Sequence, residues 1–95
     1  MDNLAQAISK IIREQEAIIG PIALDQAKKV SGLQVENAGE VKITGNKKEV
    51  LGNLVTQYSK LFGRASIEVC KEAFEPFMDE INPSDVPDIL KNWYN

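Results

Sequence analysis

The sequence predicts a mostly α fold of four to five short helices, with one small two-stranded β-ribbon around residues 33–44. Two observations support this prediction. Through most of the chain, apolar residues recur at steps of three and four, which is the period of an amphipathic helix. Between residues 33 and 43 the spacing changes to alternation, which is typical of strands. A length of 95 residues predicts that residues 1–95 form a single small domain.

The first helix is predicted over residues 3–19. Its apolar side chains follow the helical period and are interrupted by Gln15; they are Leu4, Ile8, Ile11, Ile12, Ile18 and Ile19. Gly20 and Pro21 then interrupt the pattern. Proline fits the first position of a new helix, because its missing N–H would have no partner there. Two alternatives follow: a second helix over about 21–31 with Ala23, Ala27 and Val30 inward, or one helix kinked at Pro21.

The ribbon is predicted from the alternation of apolar and polar residues on both sides of the turn Asn37-Ala38-Gly39. Its apolar positions are Leu33, Val35, Val41 and Ile43. A two-stranded hairpin alone is marginally stable in water. We therefore expect the ribbon to pack on the helices or to pair with a second copy of itself. Its exposed edge also offers backbone groups to a partner strand.

Two further helices are predicted over about 44–62 and 66–77, joined by a tight turn at Gly63. The first has the apolar stripe Val50, Leu51, Leu54, Val55, Tyr58, Leu61 and Phe62. Thr44 or Asn46 is the predicted N-terminal cap. Pro76 is expected to kink or end the second helix, because proline lacks an N–H and clashes with the preceding turn.

The C-terminal segment is predicted to form a last short helix after Asn82-Pro83, capped by Ser84. Its apolar residues are Val86, Ile89, Leu90, Trp93 and Tyr94. Aromatic side chains bury a large area on docking. We therefore expect Trp93 and Tyr94 to contact either the core or a partner chain.

The sequence offers little chemistry for catalysis or metal binding. It contains no histidine and one cysteine, Cys70. A serine–histidine or cysteine–histidine pair is therefore impossible within this chain, and the usual zinc spacings are absent. Cys70 falls on an apolar helix face, where a thiol behaves as a small hydrophobic group. The prediction is a non-enzymatic protein with no catalytic, metal or cofactor-binding residues.

One stretch gives an alternative, an anion or nucleic-acid site. Gly45, Asn46, Lys47 and Lys48 lie where a predicted strand meets a helix N-terminus, and such termini attract anions. The stretch lacks the second glycine of a phosphate-binding P-loop. No aromatic residues interleave with the lysines, and the net charge is −3. Nucleic acid is therefore a disfavoured partner.

The segment Ile18-Ile19-Gly20-Pro21-Ile22-Ala23, preceded by an amphipathic helix, resembles the I-G-P-I-A segment of a family of small helical modules. These modules occur at the C-termini of bacterial, notably cyanobacterial, signalling and regulatory proteins, and have no assigned biochemical role. The resemblance covers about the first third of the chain. It implies a regulatory or assembly module rather than an enzyme, and it transfers no functional site. Those modules follow upstream domains, which this sequence does not include.

The leading functional prediction is a small interaction or regulatory module that self-associates, as a homodimer, and binds a protein partner. Broad apolar stripes on a short chain favour it. The predicted contact residues are Leu4, Ile8, Ile11, Trp93 and Tyr94, with ordinary core packing as the alternative for each. The N-terminus lacks the basic start of a signal peptide, and no apolar run could span a membrane. A cytoplasmic location is expected.

Overall fold

The computed structural model describes residues 2–91, and it confirms a mostly helical fold with a small β-ribbon. The α-helices are α1 (Asn3–Ile19), α2 (Ile22–Lys28), α3 (Lys47–Phe62) and α4 (Arg64–Phe74). The ribbon consists of β1 (Leu33–Asn37) and β2 (Glu40–Ile43). Three 3₁₀ segments follow α4: Glu75–Glu80, Pro83–Asp85 and Asp88–Leu90.

The first two helices are separate. The Asp2 carboxylate caps α1 by accepting a hydrogen bond from the Ala5 N–H at 2.8 Å. Gly20 ends α1 with a φ of +76°, a backbone conformation that residues with a Cβ rarely adopt. The kinked single helix is therefore wrong, and α2 begins at Ile22.

The ribbon is antiparallel, as predicted, and it packs on the first helix pair. Leu33 pairs with Ile43 and Val35 with Val41, and the register becomes irregular between Val35 and Asn37. The ribbon packs with β2 against α1 and β1 against α2. The Ser9 hydroxyl donates a hydrogen bond to the Ala38 carbonyl in the ribbon turn. The helices therefore supply the support that an isolated hairpin lacks.

The second helix pair forms a hairpin, α3 and α4. Asn46, not Thr44, caps α3 by accepting from the Glu49 N–H at 3.0 Å. Gly63 ends α3 with φ +73° and ψ −157°, nearly the backbone conformation of Gly20. The turn between α1 and α2 and the turn between α3 and α4 thus use the same glycine conformation. Helix α4 starts directly after Gly63.

The segment after α4 differs from the sequence prediction. Helix α4 ends at Phe74, and Pro76 lies in a 3₁₀ segment, so the break predicted at Pro76 is confirmed. The predicted last helix is wrong within residues 2–91, where two short 3₁₀ segments replace it. Pro83 and Pro87 each remove a helical donor, and the side chain of Asn82, rather than Ser84, caps the first segment.

The core lies between all four helices and one face of the ribbon. Its members are Leu4, Ala7, Ile8, Ile11, Ile12, Ala23, Ala27, Val30, Leu33, Val41, Val50, Leu51, Leu54, Val55, Tyr58, Cys70, Ala73, Phe74, Ile81, Val86 and Leu90. Helix α1 is central, because it packs against α2, α4 and β2. At Gly52, a Cβ would lie 3.3 Å from the Cβ of Pro87. This glycine permits the C-terminal segment to pack closely on α3.

Candidate interaction surface

Three buried polar side chains lie in the interior between the helices: Gln15 of α1, Tyr58 of α3 and Cys70 of α4. Gln15, which interrupts the apolar stripe of α1, is fully buried. Its side-chain N–H group donates to the Ser66 carbonyl at 3.0 Å and faces the Cys70 sulfur at 3.4 Å. Burial raises the pKa of the Cys70 thiol to about 11, although the hydrogen bond from Gln15 acts in the opposite direction. The thiol is therefore protonated at neutral pH and is a poor nucleophile.

Tyr58 belongs to the same interior. Its hydroxyl donates to the Ala23 carbonyl at 2.7 Å, which ties α3 to the first turn of α2. Burial first, and then the nearby Cys70 and Glu16, raise the pKa of this hydroxyl well above its ordinary value. The side chain therefore acts as a neutral donor that fixes two helices together.

Three of the five predicted contact residues are core residues. Leu4, Ile8 and Ile11 are buried within this chain, so the structure places them in the core rather than on a surface. The physical reason is that α1 is covered on several sides, by α2, α4 and β2. Trp93 and Tyr94 lie outside the described residues.

The predicted anion-binding stretch does form the start of α3, but its surroundings do not favour an anion. The Asn46 side chain already caps the helix. Lys47 and Lys48 are exposed. Lys47 shares its surface cleft with Asp2, Glu80 and Asp85, which are three acidic side chains. Gly45 packs close to Gly32: a Cβ added at Gly45 would lie 3.2 Å from the Gly32 Cα.

Sequence reasoning missed the most exposed apolar surface. Within residues 2–91, the exposed large apolar side chains are Ile18 (64%), Ile22 (39%), Leu61 (49%) and Phe62 (40%). Ile18 and Ile22 flank Gly20, and the other two directly precede Gly63. We call these four residues the apolar end. The patterning assigned Ile18, Leu61 and Phe62 to inward stripes, and that assignment is wrong because the core ends one turn earlier.

Two buried hydrogen bonds place both turns at the same end of the molecule. The bond from Gln15 to Ser66 brings the last turns of α1 beside the first turn of α4. The bond from Tyr58 to Ala23 brings the last turns of α3 beside the first turn of α2. Gly20 and Gly63 come shortly after Gln15 and Tyr58 in the chain. Both glycine turns, and the apolar residues next to them, therefore lie at one end of the molecule.

Ile22 and Leu61 lie at the same end of the α2–α3 contact. Helices α2 and α3 run antiparallel, since Gln57 bonds to Gln26 at 2.7 Å while Tyr58 bonds to the earlier Ala23. Ile22 is one turn before Gln26, and Leu61 is one turn after Gln57. The two bonds therefore place Ile22 and Leu61 at the same end of the contact between α2 and α3.

Other kinds of site find no support in the described part of the chain. Residues 2–91 contain no group of three or more cysteine, aspartate or glutamate side chains placed to hold a metal ion. Among the same residues, no helix has the length and apolar character needed to cross a membrane. The apolar end is accordingly the candidate functional surface.

Comparison of the sequence with protein-family models and with curated proteins, and of the structure with solved structures, found no match. The resemblance to the I-G-P-I-A modules therefore stays a prediction.

Proposed function

We propose that this protein is a non-enzymatic interaction module that self-associates and binds a protein partner, and that the apolar end is the surface for the partner. One observation carries the proposal. Ile18, Ile22, Leu61 and Phe62 are all exposed, and each lies within two residues of one of the two glycine turns. Clustered apolar side chains on a folded surface are typical of protein contact sites.

The composition of the apolar end suits a protein partner. Full burial of an isoleucine, leucine or phenylalanine side chain contributes roughly 1.5–3 kcal/mol. The four residues lie half exposed or more than a third exposed, so a partner could still remove much of this area from water. Exposed Lys60 and Arg64 flank the surface on α3 and α4. An apolar centre with charged residues at its rim is the usual anatomy of an interface.

The interior chemistry supports the non-enzymatic part of the proposal. The chain has no histidine, and its single thiol is buried and has a raised pKa. The Tyr58 hydroxyl is committed to the Ala23 carbonyl. These two groups with raised pKa values are fully buried and bonded to neighbouring helices.

The test uses proximity labelling in cells, followed by direct titration of the labelled partner against purified protein. The disruptive variant is Ile18→Glu with Leu61→Glu, which places two carboxylates in the apolar end. The control is Asn53→Glu with Thr56→Glu, which adds the same charge at exposed positions of α3. We expect the disruptive variant to weaken partner binding about tenfold or more, while the control binds like the native protein.

Circular dichroism checks that both variants keep the native helical content and unfold cooperatively. Equal partner binding by the native protein and the Ile18→Glu/Leu61→Glu variant would exclude the apolar end as the binding surface. Recovery of no partner above a tag-only control would count against the partner-binding role itself.

The alternative function, anion or nucleic-acid binding at Gly45, Asn46, Lys47 and Lys48, has weaker support. The helix N-terminus favours it, whereas the Asn46 cap and the carboxylates near Lys47 oppose it. Its test is titration with nucleotides and short nucleic acids at low salt. Binding that falls steeply as salt is added would favour this function over a protein partner.

A further inference from the structure

The outer edge of β2 carries unpaired backbone groups. The Thr44 N–H donates to the Gly32 carbonyl at 2.7 Å, so Thr44 and Gly32 form a hydrogen-bonded pair of the ladder. Such pairs alternate with non-hydrogen-bonded pairs along antiparallel strands. The register pairs Leu33 with Ile43 and Val35 with Val41 as the non-hydrogen-bonded positions. The N–H and carbonyl groups of Val41 and Ile43 therefore point away from β1.

Among residues 2–91, no hydrogen bond outside the ladder itself reaches these outward groups. Val41 as a whole residue is 6% exposed, whereas Glu40 and Lys42 beside it are exposed. Because buried backbone groups without a partner are rare, we infer that the outward groups reach solvent along this edge. The outer edge of β1 is less available. The Leu33 N–H is taken by the Val30 carbonyl at 3.3 Å, and the register breaks after Val35. Of the two edges, β2 is the one that can accept another strand.

The charges along β2 identify that strand. Glu40 and Lys42 are exposed and lie on the same face of the ribbon, one on each side of the core residue Val41. We propose that β2 pairs antiparallel with β2 of a second copy, about a two-fold axis at Val41. Each Glu40 then lies opposite Lys42 of the other copy, and the two Val41 residues exchange backbone hydrogen bonds. The product is a four-stranded sheet with the order β1-β2-β2-β1.

Charge selects this register among the symmetric ones that pair the outward groups. A shift of the axis to Lys42 places two lysines directly opposite each other, and a shift to Glu40 does the same with two glutamates. A shift to Ile43 places Lys42 opposite Thr44 and gives no ion pair. Only the axis at Val41 creates two opposite-charge pairs, and directly opposed side chains in a sheet lie close enough for such pairs to matter.

This inference rests on the self-association part of the proposed function and assigns it a surface. The apolar end lies on the helical turns at Gly20 and Gly63, whereas the paired edge belongs to the ribbon. A dimer formed through β2 therefore leaves both copies of the apolar end available to a partner. The two surfaces can be tested separately.

The experiment is sedimentation equilibrium of the full chain and five variants at low and high salt. The variants are Glu40→Lys, Lys42→Glu, the double exchange of these two, Glu36→Lys as a control, and the Ile18→Glu/Leu61→Glu variant of the apolar end. Glu36 is exposed on β1 and receives the same change in charge as Glu40, but it lies outside the paired edge. Circular dichroism confirms that each variant retains its fold.

We expect the native chain and Glu36→Lys to dimerise alike. Each single variant at Glu40 or Lys42 creates two like-charge pairs and should weaken dimerisation by about tenfold. The double exchange restores opposite charges in both pairs and should recover most of the native affinity. A merely structural effect of either residue would not be rescued by the second substitution.

The outcomes separate the two proposals. Dimerisation that is unchanged by all β2 variants but lost in Ile18→Glu/Leu61→Glu would overturn strand pairing and leave self-association intact. Single variants that weaken the dimer without rescue by the double exchange would also overturn the Val41-centred register. A native chain that stays monomeric at micromolar concentration would overturn both the strand pairing and the self-association, while partner binding at the apolar end would be judged by its own titration.

Discussion

Two leucines on α3 and two isoleucines on α1 differ in burial although each pair faces the same way. Seven residues are nearly two helical turns, so Leu54 and Leu61 share a face, as do Ile11 and Ile18. Leu54 and Ile11 are 0% exposed, while Leu61 is 49% and Ile18 64% exposed. The difference is position along the helix, because Gln15 and Tyr58 are the last buried residues of α1 and α3.

Apolar periodicity therefore identifies the face of a helix but not the turns that neighbouring helices cover. Gln15 makes the converse point, since a polar side chain lies fully buried one turn before exposed Ile18. The residues of the apolar end are each more than a third exposed, so their burial contributes less to folding than that of Ile11 or Leu54. We infer that their apolar character serves an intermolecular contact.

The sharpest way to break the comparison is to truncate each leucine to alanine. Leu54→Ala removes a fully buried side chain and should cost about 2–5 kcal/mol of unfolding free energy, because the lost burial is joined by a cavity. Leu61→Ala, on the same helix and face, should cost less than about 1 kcal/mol. Urea denaturation of both variants gives the two values directly.

The same pair of variants separates folding from binding. Leu61→Ala should weaken partner binding, whereas its stability stays near native. Equal loss of stability in the two variants would mean that Leu61 completes the core, and the apolar end would then lose its main support as a docking surface.

Much of this architecture could be predicted from the sequence, and the failures share a cause. Local signals gave α1 over 3–19, the ribbon and the stop at Gly63, since capping groups, alternation and glycine act over a few residues. The exposure of Ile18 and Leu61 depends on where other helices end, which no local pattern records. The prediction of a helix after Pro83 failed for a related reason. The helical pattern there is weak, and packing of Pro87 against Gly52 of α3 holds the segment in place.

The two glycine turns that create the apolar end offer a second, smaller test. Gly63→Ala should destabilise the protein by about 1–3 kcal/mol, because the backbone conformation is strained for any residue with a Cβ. No atom lies within 4 Å of the added Cβ, so the cost is conformational rather than steric. Thermal unfolding by calorimetry measures it.

Gly52→Ala is the matched control for this test. Its added Cβ meets Pro87, but alanine gains about 1 kcal/mol of helix propensity over glycine. The two effects oppose each other, so the net change should be small. A Gly63→Ala variant as stable as Gly52→Ala would show that the turn relaxes freely, and the fixed arrangement of the apolar end would no longer follow from its glycines.

The smallest expected effect distinguishes the buried layer from the apolar end by pH. The Cys70 pKa of about 11 in the folded chain lies above its ordinary value of 9.0. Above about pH 9 the unfolded chain loses this proton while the folded chain keeps it, so stability should fall as pH rises, by at most about 1.4 kcal/mol per pH unit. Tyr58 adds a fall in the same direction at higher pH, because its pKa is raised too.

Urea denaturation between about pH 8 and pH 10 should therefore show a shallower fall in stability for Cys70→Ala than for the native chain. Leu61→Ala should keep the native slope, since Leu61 is 49% exposed and the substitution leaves the thiol and its Gln15 partner in place. If Cys70→Ala and the native chain lost stability equally with pH, the pKa of the thiol would not be raised by burial. Cys70 would then belong to the solvent-accessible end of the molecule rather than to the buried layer.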